Sequence, residues 1–260
     1  MPKDFRIGLI VPSSNVTMET EIPLLLHRRS QVAPETFTFH SSRMRMRRVT
    51  KTELVEMDSD SDRCAVELSD ARCDALAYAC LIAVMAQGPG YHVTSEARLS
   101  RVAEENGAPA PVVSSAGALV RGIQALGARR VAMIAPYVKP LTALVIDYLK
   151  ACGIEVTDAI SLEVPDNLEV AQLDPMRLIA LAEGLDRKDA DAVVLSACVQ
   201  MPSLAAIQEA EDRLGLPVLS AATATVYDVL NRLGLRPVTP GAGRLLSGVV
   251  GVRSSSETVS

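Results

Sequence analysis

The chain has 260 residues, of which 48% are hydrophobic and 22% charged, and its net charge is −5; that balance builds a globular core and excludes disordered or fibrous character. Aromatic side chains make up 3% and tryptophan is absent, which speaks against a carbohydrate platform or a base-stacking nucleic-acid surface. The five cysteines, Cys64, Cys73, Cys80, Cys152 and Cys198, are an odd set without CxxC spacing, so neither a disulfide framework nor a metal site is expected, and a reducing, cytoplasmic setting suits them.

In chain order, Arg6 to Pro12 is an apolar run closed by proline, as expected of a strand buried on both faces of a parallel sheet. The residues before it lack the charged, apolar and small-residue series of an export signal. Pro12-Ser13-Ser14-Asn15 then place two hydroxyls and an amide just ahead of an amphipathic stretch at 15–30. Those groups suit a carboxylate through short hydrogen bonds, and Ser14 or Asn15 suits the helix cap equally well. Arg43, Arg45, Arg47 and Arg48 are interleaved with methionine. In an acidic chain this short run predicts an anion-attracting loop or lid, or a plain solvated surface, rather than a nucleic-acid site. A second amphipathic stretch covers 51–70.

Ala75 to Ala86 is the longest apolar run, too short to cross about 30 Å of hydrocarbon. It predicts a buried strand and its exit loop, and it contains Cys80. Gly88-Pro89-Gly90 lacks the third glycine of a dinucleotide loop and carries a proline where that turn is made. Further amphipathic stretches lie at 92–106, 139–152, 175–187 and 202–215, alternating with strand-like runs. His27, His40 and His92 show neither metal spacing nor a Ser/His/Asp order.

The chain contains itself twice. Arg6 to Pro12 matches Arg130 to Pro136, Asp74 to Cys80 matches Asp191 to Cys198, and Pro111 to Ser114 matches Pro217 to Ser220. The helical stripes that follow, Leu119, Ile123, Leu126, Gly127 and Val226, Leu230, Leu233, Gly234, have identical internal spacing. Alternating strands and helices in duplicate predict an α/β fold of two pseudo-symmetric Rossmann-like lobes, each a parallel sheet flanked by helices, with the active site in the cleft between them. The first lobe is assigned to residues 1–120, joined by the C-terminal segment 221–260, and the second to 121–220. The serine-rich tail, Arg253 to Ser260, is expected to fray.

Cys80 and Cys198 then occupy equivalent strand ends, and two lobes related by a pseudo-twofold axis would turn them toward each other. A strand end that turns into a helix offers free N–H groups that favour a thiolate and hold a carboxylate. A single buried cysteine is ordinarily inert packing; the matching positions argue otherwise for this pair, while Cys64, Cys73 and Cys152 match nothing. Pro165-Asp166-Asn167, after a strand-like run, reads as a turn.

A duplicated α/β chain with one cysteine per half at equivalent strand ends resembles the aspartate/glutamate racemase superfamily. Within it, Val-Pro-Ser-Ser-Asn at 11–15, Ala-Cys-Leu at 79–81, Pro-Tyr at 136–137, Pro-Asp-Asn at 165–167 and, most specifically, Ser-Ala-Cys-Val-Gln-Met-Pro at 196–202 resemble the maleate cis-trans isomerases. The resemblance implies a cofactor-independent isomerase with Cys80 as nucleophile and Cys198 as proton donor. It implies carboxylate contacts from Asn15, Tyr137 and Asn167 and from the amides of Leu81, Ile82 and Val199, with Ser14 beside them, and a homodimer as the assembly. A two-thiol amino-acid or hydantoin racemase would share both cysteines but needs an ammonium or ureido pocket that the sequence does not display. An arylmalonate decarboxylase would keep only the second cysteine. A two-lobed binding protein would leave the cysteine symmetry unexplained.

Overall fold

The computed structural model describes residues 3–47 and 49–250. Arg48, the tail Arg253–Ser260 and the end of the 221–260 segment lie outside them. The first sheet is formed by β1 (Asp4–Pro12), β2 (Thr36–Met44), β3 (Ala75–Tyr78) and β4 (Val112–Ser114), all parallel, in the order β2-β1-β3-β4. Its helices are α1 (Met18–Arg29), α2 (Lys51–Asp70), α3 (Leu81–Met85), α4 (Tyr91–Glu105) and α5 (Ser115–Ala125). The second half repeats the plan. β5 (Arg130–Ala135), α6 (Lys139–Ala151), β6 (Glu155–Ser161), α7 (Asn167–Ala171), α8 (Arg177–Glu183), β7 (Ala192–Ser196), α9 (Leu204–Leu214), β8 (Val218–Ser220) and α10 (Ala221–Arg232) follow, with the parallel order β6-β5-β7-β8. A short 3₁₀ turn covers Arg244–Leu246. Among the described residues no helix is long and apolar enough to cross a membrane.

The duplication holds down to single hydrogen bonds. Asp74 accepts from the Arg6 N–H at 2.7 Å, and Asp191 from the Arg130 N–H at 2.8 Å. The Leu76 N–H donates to Pro111 and the Val193 N–H to Pro217, each at 2.9 Å. Ser114 and Ser220 cap α5 and α10 by accepting the N–H groups of Gly117 and Thr223, a contact worth about 1 kcal/mol to a helix end. Gly127 and Gly234, the predicted helix-closing glycines, both adopt positive φ, at 74° and 69°.

β1, β3, β5 and β7 are buried almost throughout, which is why they read as continuous apolar runs rather than as alternating ones. Gly8 on β1 is fixed by packing, since a Cβ there would stand 2.5 Å from Leu76 Cδ2 and 3.3 Å from Cys73 Sγ. The second half of the chain reaches back to the first through α10, which packs on α1, α5, β3 and β4. Gly122 permits that approach, a Cβ on it falling 3.1 Å from the Cβ of Ala224.

Two expectations are corrected. The exit loop after β3 is the helix α3, all five residues of which are buried; an apolar run with no polar residue to solvate it has to satisfy its backbone internally. The 175–187 stretch contributes only α8, Arg177–Glu183.

Candidate active site

Each cysteine sits two residues beyond the C-terminal end of its strand, Cys80 after β3 and Cys198 after β7, held by equivalent bonds. The Ala79 N–H donates to Ile10 at 2.8 Å and the Ala197 N–H to Ile134 at 3.0 Å. Cys80 heads α3 with φ 119°, a conformation that costs a side-chain-bearing residue on the order of 1–3 kcal/mol. The Ala83 and Val84 N–H groups, donating to its carbonyl at 3.1 and 3.2 Å, hold it there.

One cavity of about 20 Å³ receives both sulfurs. Cys80, Leu81 and Ile82 line it together with Cys198, Val199 and Gln200, and Asn15, Tyr137, Asn167, Pro12, Met46 and Val49 complete the lining. None of these residues is charged. Much larger cavities exist, one of about 850 Å³ around Arg129, Arg130 and Lys150, but that one lies at the opposite, N-terminal edge of the second sheet. A separate chamber of about 110 Å³, walled by Pro136, Leu141, Val164 and Val170, shares Val49, Tyr137 and Asn167 with the cysteine cavity.

The electrostatics depart from what the strand ends suggested. Burial pushes the Cys80 thiol up to about 12, reinforced by the nearby Cys198 and Asp58 and only partly offset by the N–H groups of Ala83 and Ile82. Burial also raises Cys198, against which the Tyr137 hydroxyl and the N–H groups of Gln200 and Met201 act. The Gln200 N–H lies 3.4 Å from Cys198 Sγ. The amide donors are in place as expected, yet in the closed cavity the loss of water outweighs them and holds both thiols above their ordinary range.

Asn15 is both cap and wall. Its Oδ1 accepts from the N–H groups of Thr17 and Met18 at 3.1 and 2.9 Å, so its Nδ2 is the group that remains to donate into the cavity. Tyr137 is buried, its hydroxyl 3.4 Å from the Ala197 carbonyl and beside Cys198. Asp166 caps α7 by accepting from Leu168 and Glu169, as a turn motif should, and the next residue, Asn167, donates through Nδ2 to Ser14 Oγ at 2.9 Å. Ser14 itself is not among the cavity-lining residues and stands behind Asn167.

Arg43 is neither an anion-attracting lid residue nor plain solvated surface. Its guanidinium pairs with Glu19 and donates to the carbonyls of Ser13 and Asn15 at 2.9 and 2.6 Å, bolting down the β1–α1 loop. Met44 and Met46 point inward while Arg43, Arg45 and Arg47 point outward, the alternation of an extended segment. Ser13 Oγ pins that segment through the Met46 backbone at 3.0 and 3.1 Å. Gln200, Met46 and Val49 are cavity residues that sequence reasoning did not single out; Gln200 lies inside the most specific string of the resemblance, which was its available signal. Among the described residues no three His, Cys, Asp or Glu side chains group as a metal site.

A family model for arylmalonate decarboxylase matches residues 7–246. The maleate isomerase of Geobacillus stearothermophilus is 68% identical over 249 residues, which is 95% of this chain and 99% of that protein. The crystal structure of a maleate isomerase variant from Pseudomonas putida S16 with maleate superposes with a TM-score of 0.94 at 58% identity, covering 95% of this chain and 99% of that one. A Nocardia farcinica maleate cis-trans isomerase mutant with a covalently bound succinylcysteine intermediate gives a TM-score of 0.90 at 48% identity, covering 94% and 98%. With near-complete coverage at these identities and a cysteine at each of two equivalent strand ends, the chain belongs to the arylmalonate decarboxylase family and, within it, to the maleate isomerases.

Proposed function

We propose that the protein converts maleate to fumarate by reversible thiol addition, with Cys80 as nucleophile and Cys198 as proton donor. The observation that carries this reading is the single uncharged cavity that both sulfurs enter from opposite lobes. Cys80 first gives up its proton to solvent; its thiolate attacks C2 of maleate, the electron pair of the double bond passes to C3 and its carboxylate, and the Cys198 thiol protonates C3 to give a succinyl adduct on Cys80. The former double bond is now single and rotates. Cys198 thiolate removes the C3 proton, the C2–sulfur bond breaks, and fumarate leaves with both cysteines restored. Addition and elimination leave the oxidation state unchanged, so the chemistry asks for no redox cofactor. The succinylcysteine in the Nocardia relative and the maleate in the Pseudomonas relative support this course.

The substrate carboxylates are met by neutral donors: the amides of Asn15 and Asn167, the Tyr137 hydroxyl and the N–H groups of Leu81, Ile82 and Val199. Donors fixed by the fold and shielded from water stabilise developing charge without reorganising. The absence of any acidic residue among those lining the cavity disfavours an amino-acid substrate, whose ammonium would need one. A cavity of about 20 Å³ holds about one water, so its walls must part for maleate to enter.

We also take residues 1–120 with 221–260 as one lobe and 121–220 as the other, supported by the packing of α10 on α1, α5, β3 and β4. A cytoplasmic homodimer is the assembly we infer, the free state of all five cysteines favouring a reducing compartment. The test is to incubate the protein with maleate and follow fumarate by ultraviolet absorbance or proton NMR. Cys80→Ser and Cys198→Ser should each abolish turnover and Cys152→Ser should not. Untouched maleate, together with racemisation of an amino acid, would replace this reading by the racemase one.

A further inference from the structure

Gln200, two residues beyond Cys198 and 2% exposed, uses its whole side chain to join three segments. Its Oε1 accepts the Val16 N–H at 2.9 Å and the Thr17 N–H at 3.4 Å. Its Nε2 donates to the Ser14 carbonyl at 3.0 Å and to the Asn167 carbonyl at 2.7 Å. Its own carbonyl accepts from Thr17 Oγ1 at 2.8 Å, and its N–H points at Cys198 Sγ. An amide has two N–H donors and one carbonyl acceptor, and here both donors and the acceptor are engaged.

The three segments are those that present the site's polar groups: the β1–α1 loop with Asn15, the start of α7 with Asn167, and the turn with Cys198. We propose that Gln200 is a positioning residue that fixes Asn15 and Asn167 at one separation across the cleft, so that their amides meet the two ends of a four-carbon dicarboxylate together. This rests on the maleate reading of the site. Lobe docking does not depend on Gln200, because Glu21 on α1 independently accepts the N–H groups of Ser203 and Leu204 at 2.7 and 2.6 Å. Loss of the Gln200 side chain therefore loosens the two asparagines while the lobes stay together.

The test compares Gln200→Glu, which keeps an acceptor toward Val16 and gives up both N–H donors, with Gln200→Ala, which gives up everything. Both should raise KM for maleate about 10-fold or more, with a smaller fall in kcat, and leave the thermal midpoint within a few degrees of wild type. In an Asn167→Ala background, Gln200→Glu should raise KM by a smaller factor than it does alone, because one of the two amides it positions is gone. Unchanged KM in both variants, or a fully additive rise in the Asn167→Ala background, overturns the role; if one variant melts below the assay temperature, the other carries the same readout. Failure of the wild type to isomerise maleate is a different result, which defeats the functional reading itself.

Discussion

Tyr78 donates its fully buried hydroxyl to Asp58 Oδ1 at 2.8 Å, tying the last residue of β3, two before Cys80, to the helix α2. The other carboxylate oxygen accepts from the Tyr91 hydroxyl at 2.7 Å and from Arg98 at 3.1 Å. Asp58 thus joins α2, β3 and α4 directly behind the nucleophile.

Removing that carboxylate strands several donors at once. Asp58→Ala should destabilise the protein by about 3 kcal/mol or more, at about 1–3 kcal/mol for each buried unsatisfied group. Tyr78→Phe removes only one donor from a carboxylate that keeps two others and should cost about 1 kcal/mol. Urea denaturation of the two variants beside wild type measures both; equal losses would contradict the hub.

The pH dependence of catalysis follows from burial. Because the resting Cys80 thiol is pushed up to about 12, kcat/KM should still be rising with pH beyond the range of an ordinary thiol at about 8.5. The Tyr137 hydroxyl lowers Cys198, so Tyr137→Phe should raise Cys198 further, moving any alkaline limb to higher pH. A pH–rate series on both proteins checks the direction, and a plateau below the ordinary thiol range in wild type would show that Cys80 is ionised at rest.

If Cys198 serves as the proton relay, Cys198→Ser should stop turnover yet leave Cys80 able to add. Intact-protein mass spectrometry after incubation with maleate should find the chain heavier by one maleate, and the Cys80→Ser, Cys198→Ser double variant should show no gain. An adduct that persists in the double variant would place the addition on another cysteine.

Glu21 supplies a pH-dependent stability term of opposite sign to the usual carboxylate. Burial raises its pKa above 4.5 despite the N–H bonds from Leu204 and Ser203. The folded state therefore holds the proton more tightly than the unfolded state, and stability is full below about 4.5 and lost as pH climbs through the raised folded value. Glu21→Gln keeps an oxygen to accept both N–H groups and cannot ionise. The thermal midpoint of Glu21→Gln minus that of wild type should therefore grow as pH rises from about 4 to about 7, and a constant difference would contradict the raised pKa.

By itself the sequence determined the α/β alternation, the duplication and the pairing of Cys80 with Cys198. Each of these is written in short runs: an apolar strand with a fixed ending, or a stripe such as Leu119, Ile123, Leu126 closed by Gly127. Near neighbours along the chain decide such elements, and a repeat states them twice. Only the tertiary structure decided that Asn15 caps α1 with one end of its amide and faces the cavity with the other, that Arg43 bolts a loop, and that Ser14 stands behind Asn167. It alone showed that Gln200 reaches Val16 across 184 positions of sequence. It also placed both thiols where burial raises them, because a thiol's pKa depends on how much water remains around it, and the closing of two lobes over a sulfur leaves no mark on the residues beside it in the chain.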